Sequence, residues 1–494
     1  MKTASYIDVT DLGELPKLKS SKRYFEFIGG SKEFRCFECD VNTPRSLFMK
    51  ENSHLIDEAL RPIYENNGIV VNQDVSYALP GFYIVGLKKH INSMDQVDEL
   101  THQRLFFIIR EIRKGMRERL GIDYVHIYYE ERAVISCNVH YWILPIIDIE
   151  KHPRLYKFDI EAYLKQFHSS VNMSKIQKFN ELLKKYIDDS KLKEQDNDLT
   201  RRLLALPKNC KTPKTVDFNV NGACNLDCAW CWGPDHKASE SLSIEDWKKI
   251  ALNLKLLGTT NITFTGGEPF LKKGLSELLE YVHEELQLRV TVSTNGLLMK
   301  RFGESLLPFV DDLGLPLDGH NQAINNLMRK GTPKHFHCVL EAILFVQSMY
   351  PHIDLTLRSV VSNKNLDSVP LIGKTLLDYG VNPKKIRWKL YQLTPVGIRK
   401  DDIVGKGWEV TKEEFDEVTE NVKERNPEFS RIGYLNVDMH VGRYFHIYPD
   451  GNSHVFVDGE DKLPQFSALG NIKDNFNDVI EKLSNFDLNL NKIR

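Results

Sequence analysis

The sequence predicts an α/β protein with a partial (β/α)6 barrel, preceded by an α+β module and followed by a small α+β extension. Three observations support this. Between residues 206 and 400, short β-rich runs alternate with amphipathic helical runs, a pattern typical of parallel sheets with right-handed crossovers. Six such units occur, fewer than the eight of a closed barrel. The alternation is absent from residues 1–170 and 401–494, which predicts separate modules there.

The composition predicts a soluble multidomain protein. The 494 residues are 41% hydrophobic and 27% charged, with a formal net charge of −2, as in ordinary globular chains. No long block of lysine and arginine occurs, so binding to nucleic acid is not supported. No apolar run reaches the about 20 residues of a membrane span, and the first residues lack the apolar core of a secretory signal. We therefore expect a cytoplasmic protein without a membrane partner.

Residues 1–170 predict the α+β module with an antiparallel sheet. Residues 68–90 hold two β-rich runs joined through Pro80-Gly81, a strong turn signal. A helix is expected from about Asp98 to Leu120, followed by β-rich runs at 124–131 and 135–146.

Residues 171–205 predict a helical, charged linker. Apolar residues at helical spacing indicate a helix in its first half: Met173, Ile176, Phe179, Leu183 and Ile187. The second half is polar and lacks apolar periodicity, which predicts a solvated joint.

The barrel and the extension follow. The predicted barrel strands are 215–220, 261–265, 288–293, 312–317, 354–361 and 385–393. The first helix between them, Ile244 to Leu257, has Ser243 as a candidate N-cap and Gly258 as a stop. In residues 401–494 we predict a helix from Lys412 to Arg425 and a hairpin with its turn at 449–452.

Unusual polar and glycine-rich segments follow the predicted strands. "CNLDCAWC" (224–231) follows the first strand, and the next three are followed by GGEP, STNG and DG. Because the carboxyl ends of parallel strands meet at one rim, where such folds bind ligands, these segments predict an active site.

The three cysteines of the first segment predict a metal centre. Cys224, Cys228 and Cys231 have C-x3-C-x2-C spacing, and in a reducing compartment clustered cysteines more often bind metal than form disulfides. Three thiolates can hold three irons of a [4Fe–4S] cluster and leave the fourth iron open. A zinc site with His236 as the fourth ligand is the alternative, and the GGEP segment favours the cluster.

The order of these motifs over residues 210–400 resembles the radical S-adenosylmethionine (radical SAM) superfamily. The resemblance implies a [4Fe–4S] cluster on the three cysteines, with the methionine amine and carboxylate of S-adenosylmethionine on the open iron. Pro316 stands where members of the superfamily often have Ser. The cofactor-binding residues implied are Trp230, Gly266, Gly267, Glu268, Pro269, Ser293, Asn295 and Asp318.

The activity that the resemblance implies is radical chemistry. The reduced cluster cleaves S-adenosylmethionine, and the resulting 5′-deoxyadenosyl radical removes a hydrogen atom from the substrate. An electron donor such as flavodoxin or ferredoxin is implied as a partner.

Residues 34–165 resemble the histidine-triad (HIT) family of nucleotide hydrolases and transferases. The resemblance rests on "NVHYWILP" (138–145) and "PGFYIVGLKKH" (80–90). It implies that His140 is the catalytic nucleophile, although Asn138 and Trp142 stand where the family has histidines and Phe82 where another is usual.

Some branches of this family bind zinc through an N-terminal C-x2-C. Cys36 and Cys39 have that spacing. His90 is the candidate third ligand, and Cys137 could supply the fourth in place of Asn138.

Three functions follow from these resemblances. The first is a radical SAM enzyme acting on a nucleotide-like or phosphorylated small molecule. The second is a radical SAM maturase of peptides or proteins, with the HIT-like module as its recognition domain. It is suggested because residues 447–475 resemble the cysteine-rich extension of such enzymes, although no cysteine follows Cys338. The third is a HIT-type hydrolase or transferase whose C-terminal half is a scaffold.

Overall fold

The computed structural model describes residues 62–74, 79–89, 91, 93–129, 138–146, 159–164, 173–207, 210, 212–228, 230–231, 233, 242–439, 444–458 and 464–486. The chain divides into two compact units, Met1–Ala205 and Leu206–Arg494.

The described part of the first unit is an antiparallel sheet with helices, as predicted. The strand order is β1-β2-β3-β5-β4, and all neighbours are antiparallel. The strands are β1 (Tyr64–Asn66), β2 (Ile69–Gln73), β3 (Tyr83–Leu87), β4 (Val125–Tyr129) and β5 (His140–Pro145). The helices are α1 (Glu99–Leu120), α2 (Ile160–Leu164), α3 (Met173–Asp189) and α4 (Leu192–Leu203).

The polar segment predicted as a solvated joint is the helix α4 instead. Asp196 of α4 is fully buried and forms an ion pair with Arg104 of α1 at 2.7 Å. Its carboxylate also accepts hydrogen bonds from Tyr64 Oη and Asn66 Nδ2, each at 2.8 Å. Sequence periodicity missed this helix because its buried face carries polar side chains.

Replacing Asp196 by Ala should strongly destabilise the first unit. The Arg104 guanidinium would remain buried without its counter-charge, and breaking a buried pair in this way costs about 3–5 kcal/mol. Hydrogen exchange of the α1 amides in the full chain would measure the loss. The control is Asp198→Ala on the same helix, whose pair with Arg202 is exposed; a surface pair is worth about 0–1 kcal/mol. Equal exchange in the two variants would contradict the prediction.

The described residues of the second unit form a ten-stranded sheet in the order β12-β11-β10-β9-β8-β7-β6-β13-β14-β15. All pairs from β12 to β13 are parallel, and the pairs β13–β14 and β14–β15 are antiparallel. The strands are β6 (Thr215–Asn219), β7 (Asn261–Thr265), β8 (Arg289–Ser293), β9 (Asp312–Pro316), β10 (Asp354–Val361), β11 (Ile386–Gln392), β12 (Ile432–Leu435), β13 (Phe445–Ile447), β14 (Asn452–Asp458) and β15 (Pro464–Asn471).

The six predicted barrel strands are confirmed as the consecutive parallel strands β6 to β11. The predicted helix at 412–425 is confirmed. The predicted N-cap Ser243 of the first barrel helix is confirmed too, since its side chain accepts from Asp246 N in a capping box. The helices are α5 (Ile244–Leu256), α6 (Leu275–Glu280), α7 (Met299–Leu306), α8 (Gln322–Met328), α9 (His335–Met349), α10 (Ile372–Asp378), α11 (Lys400–Ile403), α12 (Lys412–Arg425) and α13 (Phe476–Ser484).

Strand alternation divides the sheet into an apolar and a polar face. Phe218 of β6 and Phe264 of β7 lie in the hydrophobic core of the unit. The neighbours of Phe218, Asp217 and Asn219, line a pocket on the other face, as do those of Phe264. Because successive side chains of a strand point to opposite faces, one face packs while the other presents polar groups. None of the described helices is both long and apolar enough to span a membrane.

Candidate active site

A pocket of about 260 Å³ lies on the polar face of the ten-stranded sheet. The last residues of five parallel strands line it, so the pocket is at the carboxyl rim. These residues are Asn219, Thr265, Ser293, Pro316 and Gln392. The convergence predicted from the strand-end segments is thus present.

Three cysteine side chains of the loop after β6 line this pocket: Cys224, Cys228 and Cys231. Burial raises the pKa of the Cys228 thiol to about 12, although the Arg329 guanidinium opposes the shift. A metal ligand must be the thiolate, so this thiol needs a cation at the sulfur to ionise. The irons of a [4Fe–4S] cluster supply that charge, and each takes its own cysteine. The donor set therefore fits such a cluster.

The zinc alternative gains no support from the described residues. Among them, no group of three or more His, Cys, Asp or Glu side chains is arranged to hold a metal ion, as a zinc site requires. A cluster places a different demand, since its cysteines bind different irons. His236, the alternative fourth ligand, lies outside the described residues.

The two glycines after β7 support the cysteine loop. Gly267 N donates to Asn221 O and Glu268 N donates to Ala223 O, each at 2.8 Å. A Cβ on Gly267 would lie 2.2 Å from Ala223 O, and one on Gly266 would lie 2.5 Å from Asn221 O. The resemblance implied that these glycines bind the cofactor. The structure shows that their first requirement is the close approach of the cysteine loop.

The Glu268 carboxylate ties two strand-end loops together and is fully buried. It accepts hydrogen bonds from Thr294 Oγ1 at 2.6 Å, Asn295 N at 2.8 Å and Phe270 N at 3.1 Å. Burial raises the pKa of this carboxyl to about 7, against the opposing effect of its hydrogen bonds. The side chain predicted to contact the cofactor therefore positions the loops that line the pocket.

Glu268 should make stability fall as the pH rises. Its pKa is higher in the folded protein than the ordinary value of 4.5. The contribution of Glu268 to the free energy of unfolding is therefore fully present below pH 4.5 and is lost as the pH rises through 7. Urea unfolding of the metal-free protein at pH 5 and pH 8 would test this. The wild type should lose more stability than Glu268→Gln between the two values, and equal losses would contradict the prediction.

Asp318 also acts from behind the pocket wall. Its carboxylate is fully buried. It accepts hydrogen bonds from Arg329 Nε at 2.6 Å and from Val360 N at 2.8 Å. The Arg329 guanidinium lies 4.8 Å from the Trp230 ring, and Trp230 Nε1 donates to Met328 O at 2.9 Å. Asp318 was predicted to contact the cofactor. That contact stays a prediction, and in the structure Asp318 holds Arg329, a pocket-lining cation that the sequence analysis missed because no motif or periodicity marks it.

Ser293 and Asn295 both line the pocket. Ser293 Oγ accepts from Arg358 Nη1 at 2.6 Å. Asn295 Nδ2 donates to Asn225 Oδ1 at 2.6 Å, which links the β8 loop to the cysteine loop.

A family model for the radical SAM superfamily matches residues 218–348. This range contains the three cysteines, both glycines and Arg329. Residues 218–348 form a radical SAM domain.

Curated relatives are similar in sequence to this chain over part of their length. An S-adenosylmethionine-dependent nucleotide dehydratase RSAD2 from Siniperca chuatsi is 30% identical over 205 residues, 40% of this chain and 54% of the relative. An Fe-coproporphyrin III synthase from Methanosarcina barkeri is 29% identical over 261 residues, 50% of this chain and 61% of the relative. The chain thus spans only about half to three fifths of these proteins.

Among solved structures, Streptococcus suis SuiB bound to the precursor peptide SuiA resembles the chain with a TM-score of 0.43 and 13% identity. The match covers 85% of this chain and 89% of SuiB. A likeness this weak carries no argument about substrate.

The predicted cofactor-binding residues of the radical SAM domain fall into two groups, according to whether they line the pocket. Five line the pocket: Trp230, Gly266, Gly267, Ser293 and Asn295. The other three, Glu268, Pro269 and Asp318, are buried behind it. Contact of all eight residues with S-adenosylmethionine stays a prediction.

The site predicted in the first unit is only partly within the described residues. His140 is buried, its Nδ1 lies 2.7 Å from Asn138 O, and its ring lies edge-on to Trp142 at 4.1 Å. Phe82 lies in a small apolar cluster. The HIT-like resemblance and a catalytic role for His140 stay predictions. The candidate zinc ligands, Cys36, Cys39 and His90, lie outside the described residues, as does Cys137.

Proposed function

We propose that this protein is a radical SAM enzyme whose Cys224, Cys228 and Cys231 bind a [4Fe–4S] cluster. The observation that carries the proposal is that these three side chains line one pocket at the carboxyl rim of a parallel sheet. The family match over residues 218–348 supports it. The cluster with S-adenosylmethionine would supply a 5′-deoxyadenosyl radical that abstracts a substrate hydrogen atom.

The described side chains prepare the pocket for that chemistry. Arg329, held by Asp318, offers a guanidinium that can bind a carboxylate of the cofactor. Trp230 offers an aromatic face beside it. Glu268 fixes the loops that end β7 and β8, so the rim is preorganised.

For the substrate we favour a nucleotide-like or phosphorylated small molecule. Support comes from the HIT-like resemblance of the first unit and from a relative named as a nucleotide dehydratase. A peptide or protein substrate is the alternative, suggested by the sequence of residues 447–475. A short precursor peptide encoded beside this protein would favour the alternative, whereas genes for nucleotide enzymes would favour the first reading. A HIT-type hydrolase with a scaffold C-terminal half is the least supported function, because it leaves the cysteine-lined pocket unexplained.

Anaerobic reconstitution would test the proposed function. The protein should take up one [4Fe–4S] cluster and, with dithionite or with reduced flavodoxin or ferredoxin, convert S-adenosylmethionine to 5′-deoxyadenosine and methionine. Iron analysis, visible absorption and chromatography of the products are the measurements. A protein that takes up the cluster yet forms no 5′-deoxyadenosine under any of these reductants would contradict the proposal.

A further inference from the structure

Arg358 places a positive charge in the pocket beside a neutral partner. It lies on β10 and lines the pocket, and its Nη1 donates to Ser293 Oγ at 2.6 Å. Its Nε is buried and has no hydrogen-bond partner among the described residues. The Arg358 side chain is half-buried, and removing a cation from water is costly unless an anion compensates it. The guanidinium is therefore suited to receive an anionic ligand.

The neighbouring strands leave room for this guanidinium. Gly314 of β9 lies between Arg358 of β10 and Ser293 of β8, and a Cβ on Gly314 would lie 2.6 Å from Arg358 Cζ. Any larger residue would displace the side chain from Ser293. Three adjacent strands thus contribute one residue each to hold the cation in place.

The acidic residue of the same pocket has a different partner. Asp217 Oδ2 of β6 lies 3.4 Å from His446 Nδ1 of β13, and the two residues face each other in the strand register. Arg358 lies on β10, four strands away from β6 in the sheet. The described structure therefore pairs Asp217 with the histidine and leaves Arg358 to a ligand.

The opposite side of the pocket is an aromatic wall. His446 lies on β13 and Tyr444 and Tyr448 flank that strand, while Phe456 of β14 and Phe466 of β15 complete the wall. The Tyr444 and His446 rings are stacked at 5.6 Å, and the Phe456 and Phe466 ring centroids are 4.4 Å apart. Aromatic faces of this kind bind flat rings by stacking.

We propose that Arg358 and Ser293 bind the phosphate of the substrate, while the aromatic wall holds a flat ring of the same molecule. The substrate class is a nucleotide-like compound, and this inference rests on the proposed function. We assign the phosphate to the substrate because the pocket has a second cation, Arg329, nearer the cysteines. Its guanidinium lies beside Trp230, which packs with Cys228 of the cysteine loop. Arg329 is therefore the group placed to meet the cofactor.

Calorimetry on the full reconstituted chain would test the assignment. The probes are AMP, GMP, CMP and UMP, their four nucleosides, inorganic phosphate and S-adenosylmethionine. At least one monophosphate should bind, and Arg358→Gln should weaken it roughly 10- to 100-fold, the value of a charged hydrogen-bonded contact. Phe466→Ala should weaken both that monophosphate and its nucleoside. Arg289→Gln, which removes an exposed charge from the far end of β8, should leave all affinities unchanged.

Three results would overturn the assignment. The first is that no monophosphate binds. The second is that Arg358→Gln leaves monophosphate binding unaffected, which would place the binding site elsewhere in the chain. The third is that Arg358→Gln weakens S-adenosylmethionine binding as much as it weakens monophosphate binding. The proposed function is judged separately by 5′-deoxyadenosine formation. A protein that cleaves the cofactor but binds no monophosphate would keep the proposed function and lose this inference.

Discussion

Replacing any one of Cys224, Cys228 and Cys231 by Ala should abolish both the iron–sulfur cluster and the cleavage of S-adenosylmethionine. Each thiolate is expected to hold a different iron, so no remaining cysteine of the loop can take over. Burial raises the pKa of the Cys228 thiol to about 12, so without a metal this side chain is a neutral thiol at neutral pH. Iron and sulfide content, absorption near the charge-transfer bands, and 5′-deoxyadenosine formation would be measured together.

The chain offers matched controls for this experiment. Cys210 and Cys338 are free cysteines of the same unit outside the pocket lining. Their Ala variants should keep cluster content and cleavage at the wild-type level. If all three loop variants retained the cluster, the central assignment would fall. If the two control variants lost it as well, general instability of the unit would explain the effect.

Gly267→Ala should be nearly as damaging, although the residue carries no side chain. Its Cβ would lie 2.2 Å from the Ala223 carbonyl oxygen, a distance at which backbone must move. Overpacking usually costs about 1–3 kcal/mol, and here the group that shifts is the loop that carries the cysteines. We expect iron content to fall towards that of the cysteine variants, because the three sulfurs would no longer be held in place.

Gly433→Ala is the corresponding control. Gly433 lies on β12, and a Cβ there would meet no atom within 4 Å. This variant should keep both its cluster and its thermal stability, within about 0.5 kcal/mol of the wild type. A Gly267→Ala protein with full iron content and normal cleavage would show that the cysteine loop tolerates displacement. The bracing role of the glycines would then be wrong.

Much of the barrel could be predicted because its signals are local. Each strand from β6 to β11 is a short β-rich run, and the first four are followed by segments with conspicuous cysteine, glycine or polar residues. The parallel pairing then follows from general rules of chain connection. The cysteine loop was recognisable for the same reason, since its ligands lie within eight consecutive residues.

What the sequence could not give depends on distant contacts. Arg329 lines the pocket because Asp318, eleven residues away, holds its guanidinium. Glu268 positions the strand-end loops because the Thr294 hydroxyl and the Asn295 amide donate hydrogen bonds to its carboxylate. The α4 helix was missed because it buries Asp196 in place of an apolar side chain. In each case the deciding partner is remote in sequence or polar, so hydrophobic periodicity carries no signal for it.

The pairing of β12 with β11 and of β13 with β6 also determines where the chain can be cut. These two strands come from the segment after residue 400, and they cover both flanks of the six predicted strands, β12 beside β11 and β13 beside β6. A fragment ending at residue 400 would leave the outer backbone amides and carbonyls of β11 and β6 unpaired. Exposed strand edges of this kind promote self-association. The segment after residue 400, predicted as a small extension, therefore protects both edges of the six-stranded sheet from aggregation, and recombinant work on the radical SAM domain needs the chain to continue through β15.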